Sequence, residues 1–190
     1  TDFLQQKGEA RYSRVIEVPA HRGMITDRNG EPLAISTPVD SVWASPPDVV
    51  ADAAQLRQLA HLLDMAPEDL RARLADTTRE FVYLRRQLPP DQARQVPALG
   101  IPGVSLQHEY RRYYPGGEVA AHLLGFTDVD DNGREGLELA LHETLRGKPG
   151  SQRVIKDRRG HIVEDVASLR APREGRDIAL SIDSKLQFIA

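Results

Sequence analysis

The stretch Arg22-Gly23-Met24-Ile25-Thr26-Asp27-Arg28-Asn29-Gly30-Glu31-Pro32-Leu33-Ala34 decides the first element of the fold. Asn29-Gly30 separates two short apolar runs, residues 24–27 and 33–36. Both residues tolerate positive φ, so the pair predicts a tight β-hairpin. Pro32 lacks an N–H and places the second arm at a sheet edge or at the start of a strand. Upstream, Arg14-Val15-Ile16-Glu17-Val18 alternates with period two until Pro19 stops it, which predicts another strand. Downstream, Val154-Ile155 and Ile162-Val163 flank Asp157-Arg158-Arg159-Gly160. This second hairpin echoes the first through shared turn chemistry and not through a solenoid repeat.

The period changes between these β segments. Leu56, Leu59, Ala60 and Leu63 repeat at i, i+3, i+4, i+7 and predict a helix, opened by Pro46-Pro47-Asp48. Pro67-Glu68-Asp69 predicts the start of a second helix, with Leu70 and Leu74 inward. Residues 81–85 read as a strand, and Pro89-Pro90-Asp91 as the start of a short helix reaching Val96. Residues 104–114 alternate as a half-buried strand, with Val104, Leu106, His108 and Tyr110 on one face. Short helices are expected over 119–124, closed by Gly125, and over 137–145, closed by Gly147. Residues 178–181 form a last strand, and Asp183 caps a helix whose Leu186, Phe188 and Ile189 have nothing yet to pack on. The expected fold is therefore α+β, with twisted hairpins and strands forming an elongated stalk. Residues 1–37 and 111–182 make the β-rich part, 38–110 an inserted α+β head lobe, and 183–190 the start of a further domain.

Composition bounds the function. The 190 residues are 40% hydrophobic and 28% charged, which is globular and not disordered. A net charge of −3 argues against a nucleic-acid partner. The absence of Cys excludes disulfides, thiolate catalysis and Cys-ligated zinc. No run nears the roughly 18 apolar residues of a membrane span.

Catalytic constellations fail one by one. The residues three before Lys7, Lys148, Lys156 and Lys185 are Leu4, Leu145, Arg153 and Ile182, so Ser-x-x-Lys is missing. Neither Asn follows a Ser by two positions, and Lys-Thr-Gly is absent. His108-Glu109 and His142-Glu143 lack the second His of a zinc-protease helix. Asp128-Val129-Asp130-Asp131-Asn132-Gly133 opens like a calcium loop, but its twelfth position is Leu139, with Glu138 one short. An acidic turn held by Asx hydrogen bonds explains it better. The sequence thus predicts no catalytic residue, no metal site and no cofactor. What remains is three dense clusters of Arg and carboxylate, readable either as solvated turns or as a buried network joining distant segments.

These clusters resemble the three N-terminal motifs of class B penicillin-binding proteins, the bacterial peptidoglycan transpeptidases. The first is Arg22-Gly23-x-Ile25-x-Asp27-Arg28-Asn29-Gly30-x-x-Leu33-Ala34. The second is Arg112-x-Tyr114-Pro115, followed by Gly117, Ala121-His122 and Gly125-Phe126. The third is Gly133-x-x-Gly136-x-Glu138, followed by Leu145, Gly147 and Gly150. Residues 126–131 and 156–160 are similar to the division-specific branch, and Leu180-Ser181-Ile182-Asp183-x-x-Leu186-Gln187 to the segment entering that family's transpeptidase domain.

The resemblance implies a non-catalytic pedestal, also called a dimerisation domain, of a septal transpeptidase. Its setting would be the periplasmic side of the bacterial inner membrane, in a protein anchored by one transmembrane helix. Its partners would be its own transpeptidase domain, a cognate membrane glycosyltransferase and other division proteins. Arg22, Gly23, Asp27, Arg28, Asn29, Gly30, Arg112, Tyr114, Pro115, Gly133, Glu135, Gly136 and Glu138 would form a structural junction, with Glu138 accepting from a motif arginine and Glu143 pointing outward. The alternatives are the elongation-specific branch and, less in keeping with the residues, a free-standing carboxylate hydrolase.

Overall fold

A computed structural model describes residues 12–156 and 162–189; the 157–160 turn of the second hairpin lies outside them. The chain is α+β and divides into two compact units. One comprises Val39–Glu109 with the described residues of Thr1–Ile16 and Gln152–Leu169. The other comprises Glu17–Pro38, Tyr110–Ser151 and Arg170–Ala190. The sequence reading grouped 152–169 with the β-rich part. In the structure β1 (Tyr12–Val18), β6 (Gly150–Lys156) and β7 (Ile162–Arg170) hydrogen-bond to one another as a separate sheet in the order β1-β6-β7.

The first unit takes its core from a helical hairpin and short strands. α1 (Ala53–Leu62) starts later than Pro46 predicts. Pro46–Asp48 is only a 3₁₀ turn. Asp52 is the true cap, its side chain accepting from Gln55 N–H while the Gln55 side chain accepts from Asp52 N–H. α2 (Pro67–Leu74) follows, as its prolyl start predicts. Leu59, Leu63, Leu70 and Leu84 are fully buried, and Ala93, Val96 and Ile101 close the core. The expected helix to Val96 is two short turns, α3 (Pro90–Ala93) and α4 (Gln95–Ala98).

In the second unit, β2 (Ile25–Thr26) pairs antiparallel with β3 (Pro32–Ala44), Ile25 opposite Ala34 and Thr26 opposite Pro32. Gly30 turns at φ +82°. Pro32 begins β3, where its missing N–H costs nothing. β3 outruns the expected stop at Ser36 because Val39 and Val42 keep burying, and its residues 40–44, which belong to the first unit, pair there with β4 (Val82–Leu88). β5 (Val104–Tyr113) also pairs with β3. β2 pairs in parallel with β8 (Ile178–Ala179). The helices here are short: α5 (Ala121–Leu124), α6 (Gly136–Ala140), α7 (His142–Leu145) and α8 (Ser184–Ile189). The helix expected over 137–145 breaks at Leu141, whose φ of −107° and ψ of +17° leave the helical range. Ile25, Leu33, Ala34, Leu124 and Leu145 form this unit's core.

Candidate functional site

Glu138 sits on α6 between Leu137, which packs on the core, and exposed Leu139. The helix carries its carboxylate inward, and Glu138 is fully buried. Two guanidiniums meet it there. Arg22 Nε donates to Oε2 at 3.0 Å. Arg112 Nε and Nη2 both donate to Oε1, at 3.1 and 3.0 Å. Arg22 is 0% and Arg112 6% exposed, so the water that would otherwise satisfy these charges is excluded.

The remaining donors grip main chain. Arg22 Nη2 donates to the Glu138 carbonyl at 2.9 Å and Nη1 to that of Asp131 at 3.2 Å. Arg112 Nη2 donates to the Gly23 carbonyl at 2.6 Å and Nη1 to Ser36 Oγ at 3.1 Å. Residues from all three motifs thus share one buried charge cluster. Gly133 makes the third motif compact: a Cβ there would lie 1.9 Å from the Glu138 carbonyl oxygen.

His142 completes the cluster. Its Nδ1 lies 3.1 Å from Arg22 Nη1 and 3.1 Å from Gly133 N. Both neighbours are obligate donors, so Nδ1 is the acceptor and the imidazole is neutral with its proton on Nε2. Burial, with the Arg22 charge behind it, pushes its pKa down accordingly. Asp131 has the opposite problem. Its Oδ1 is buried without a hydrogen-bond partner among the described residues, and burial pushes its carboxyl up to about 6, although Arg22 and Arg112 pull the other way. Tyr114 packs on the core, and burial followed by the Glu138 charge pushes its phenol up to about 12.

Asp27 belongs to a second cluster. Its Oδ1 accepts from Asn29 N at 2.8 Å and Glu31 N at 2.9 Å, closing the hairpin tip. Its Oδ2 accepts from Ser184 N at 3.1 Å and Ser184 Oγ at 2.8 Å. Burial works to raise this carboxyl, but the Ser184, Glu31 and Asn29 donors together hold it at about 2. Arg28 N donates to the Ile182 carbonyl at 2.9 Å, and Asn29 Nδ2 to Asp183 Oδ2 at 3.2 Å. Asp183 in turn caps α8, accepting from Lys185 N and Leu186 N. The hairpin tip is therefore fastened to the first turn of α8.

Other expected junction residues stand apart. The Arg28, Asn29 and Glu135 side chains are exposed and stand outside the buried charge cluster. Glu135 precedes Gly136 at the start of α6, and Pro115 lies in the exposed turn where Gly117 N donates to the Tyr114 carbonyl. Glu143 is 80% exposed and 3.5 Å from Arg146. In the acidic loop, Asp128 Oδ1 accepts from Asp130 N and Asn132 N while Oδ2 accepts from Arg134 Nε, the Asx arrangement the spacing suggested. Among the described residues no group of three His, Asp or Glu is placed to hold a metal. Both oxygens of Glu138 and of Asp27 are occupied in holding chain to chain, so these clusters act as fasteners.

Sequence reasoning missed His142, Asp131, Ser36 and Ser184. His142 had a legible signal: it lies four residues beyond Glu138, on the same face of a helical run.

This fold and these clusters define a class. The chain belongs to the penicillin-binding protein dimerisation-domain family, whose model matches residues 17–180. It is 44% identical over 194 residues to "Peptidoglycan D,D-transpeptidase FtsI" of Escherichia coli K12, covering 99% of this chain and 33% of that protein. It is 42% identical over 193 residues to "Probable peptidoglycan D,D-transpeptidase PenA" of Neisseria gonorrhoeae, covering 100% and 33%. The chain thus spans about a third of the length of the curated relatives it matches. Among solved structures, penicillin-binding protein 2X of Streptococcus thermophilus shares the fold, with a TM-score of 0.60 at 22% identity over 93% of this chain and 30% of that one. A peptidoglycan synthetase of Bifidobacterium adolescentis gives 0.59 at 24% identity, over 94% and 38%. Among the described residues no helix is long and apolar enough to cross a membrane.

Proposed function

We propose that this chain is the non-catalytic pedestal and protein-interaction module of a class B, septal peptidoglycan D,D-transpeptidase, acting on the periplasmic side of the bacterial inner membrane. The transpeptidase domain it carries would be the part acylated by penicillin. A cognate membrane glycosyltransferase and other division proteins would dock on the module. The observation that carries the reading is the fastening of the hairpin tip to α8 through Asp27, Arg28 and Asn29. A pedestal has to hand a fixed orientation to whatever follows residue 184, and a carboxylate capping that helix from 157 positions away supplies one.

A labelled-penicillin assay tests it. The 190 residues should stay unlabelled, while the same protein extended through a transpeptidase domain should label stoichiometrically and be competed by unlabelled penicillin. Penicillin-competable labelling of the 190 residues would sink the non-catalytic reading. Co-purification with elongation proteins and not with division proteins would move the module to the elongation branch.

A further inference from the structure

Away from the buried charges, a cleft of about 430 Å³ opens in the second unit between the turn after α7 and residues 173–176. Four cationic residues line it, Arg146, Lys148, Arg173 and Arg176, against two carboxylates, Glu143 and Glu174. Glu143 is already engaged with Arg146. Among the described residues, Lys148, Arg173 and Arg176 enter no ion pair. A surplus of positive charge around one concave site stands out in a chain of net charge −3. Like charges held together in this way repel, and a concave wall focuses their field on a mobile anion.

The walls are fixed before any ligand arrives. Lys148 and Arg173 exchange both main-chain hydrogen bonds at 2.8 Å, and Arg176 N donates to the Thr144 carbonyl at 3.0 Å. Gly175 lets the two strips touch, since a Cβ there would lie 1.7 Å from the Leu145 carbonyl oxygen. The four exposed cationic residues therefore line the cleft from a pinned backbone. Three of them are planar guanidinium forks, whose donor spacing matches the oxygens of a phosphate, and Thr144 also lines the wall.

We infer that this cleft binds a phosphate-bearing anion, a diphosphate or a phosphate ester. The recognised chemistry is the same for a phosphate free in solution and for a lipid headgroup, so the test has an arm for each. The ¹⁵N-labelled 190-residue chain is titrated with inorganic pyrophosphate. Separately it is titrated with phosphatidylcholine vesicles that contain or lack phosphatidylglycerol. Ionic strength is matched throughout with sodium chloride.

Saturable amide shifts confined to residues 144–148 and 173–176 are expected in at least one arm. The Arg173→Gln/Arg176→Gln double variant should weaken that binding by at least about tenfold, and Arg57→Gln on α1 should not change it. Response to pyrophosphate assigns a soluble ligand, and response only to phosphatidylglycerol vesicles assigns a headgroup; both support the site. No response in either arm would overturn it. So would shifts reproduced by chloride, or binding that survives the double substitution.

Discussion

Truncating Glu138 to Ala removes the acceptor of three charge-assisted hydrogen bonds and leaves Arg22 and Arg112 buried. The arginines keep their carbonyl and Ser36 partners, so they stay inside and carry two positive charges with no Glu138 counter-charge. Breaking a buried pair by removing one partner costs about 3–5 kcal/mol. Against a total stability of about 5–15 kcal/mol, that is a fifth or more. With an m-value of about 1–3 kcal/mol/M, the urea midpoint should fall by more than about 1 M. Glu143→Ala is the control, because that carboxylate is exposed and its pair with Arg146 is worth roughly 0–1 kcal/mol. Replacing all three buried groups together, as Arg22→Met/Arg112→Met/Glu138→Leu, should recover much of the loss, since no charge then remains to be compensated. Equal, small midpoint shifts for Glu138→Ala and Glu143→Ala would refute the reasoning and reduce the cluster to a surface network.

Other outcomes follow from the same geometry. Asp131→Asn should raise stability at pH 8 by roughly 1–3 kcal/mol, because the native fold prefers this carboxyl protonated up to about pH 6 and Asn also accepts the φ of +62°; calorimetry at pH 8 and pH 4.5 should show the gain shrinking in acid. His142 works in the opposite sense: its folded pKa is depressed, so its contribution is complete above about pH 6.5 and is lost as the unfolded chain takes up protons below that. His142→Asn, which keeps an uncharged acceptor, should remove that acid-side loss, and a titrating His142 with an ordinary NMR pKa would contradict this. Asp27 is depressed to about 2, so its stabilisation holds above about pH 3.8 and disappears as pH falls towards 2. Asp27→Ala should speed amide exchange at Ser184, Asn29 and Glu31 together, whereas a change at one of the three alone would break the link drawn between them.

The hairpin was legible because its determinants are local. Asn29-Gly30 needs only its own backbone preferences, and Pro32 marks the strand start by what it lacks. The first helix was legible in its stripe but not in its start: Pro46-Pro47 suits a helical first turn, yet the reciprocal bonds of Asp52 and Gln55 win six residues later. The apolar run 33–36 marks only the first part of β3, while its full length is set by pairing with β4, a non-local fact. Glu138 was picked out by resemblance together with its charge pattern. Asp131 and Ser36 carry no such pattern; only tertiary packing brings them to the arginines.

The parallel pairing beside the hairpin has a mechanical consequence. Ile178 N donates to Met24 O, Leu180 N to Thr26 O and Arg28 N to Ile182 O, and the rung ends where Ser184 meets Asp27. Tension drawn between Ser184 and the start of the hairpin would run along these strands and load the bonds side by side, in shear. A hairpin pulled open from its ends fails one bond at a time; this arrangement yields only when several give way together. The stiffness that residue 184 inherits is therefore greatest along the strand axis and least against a sideways peel.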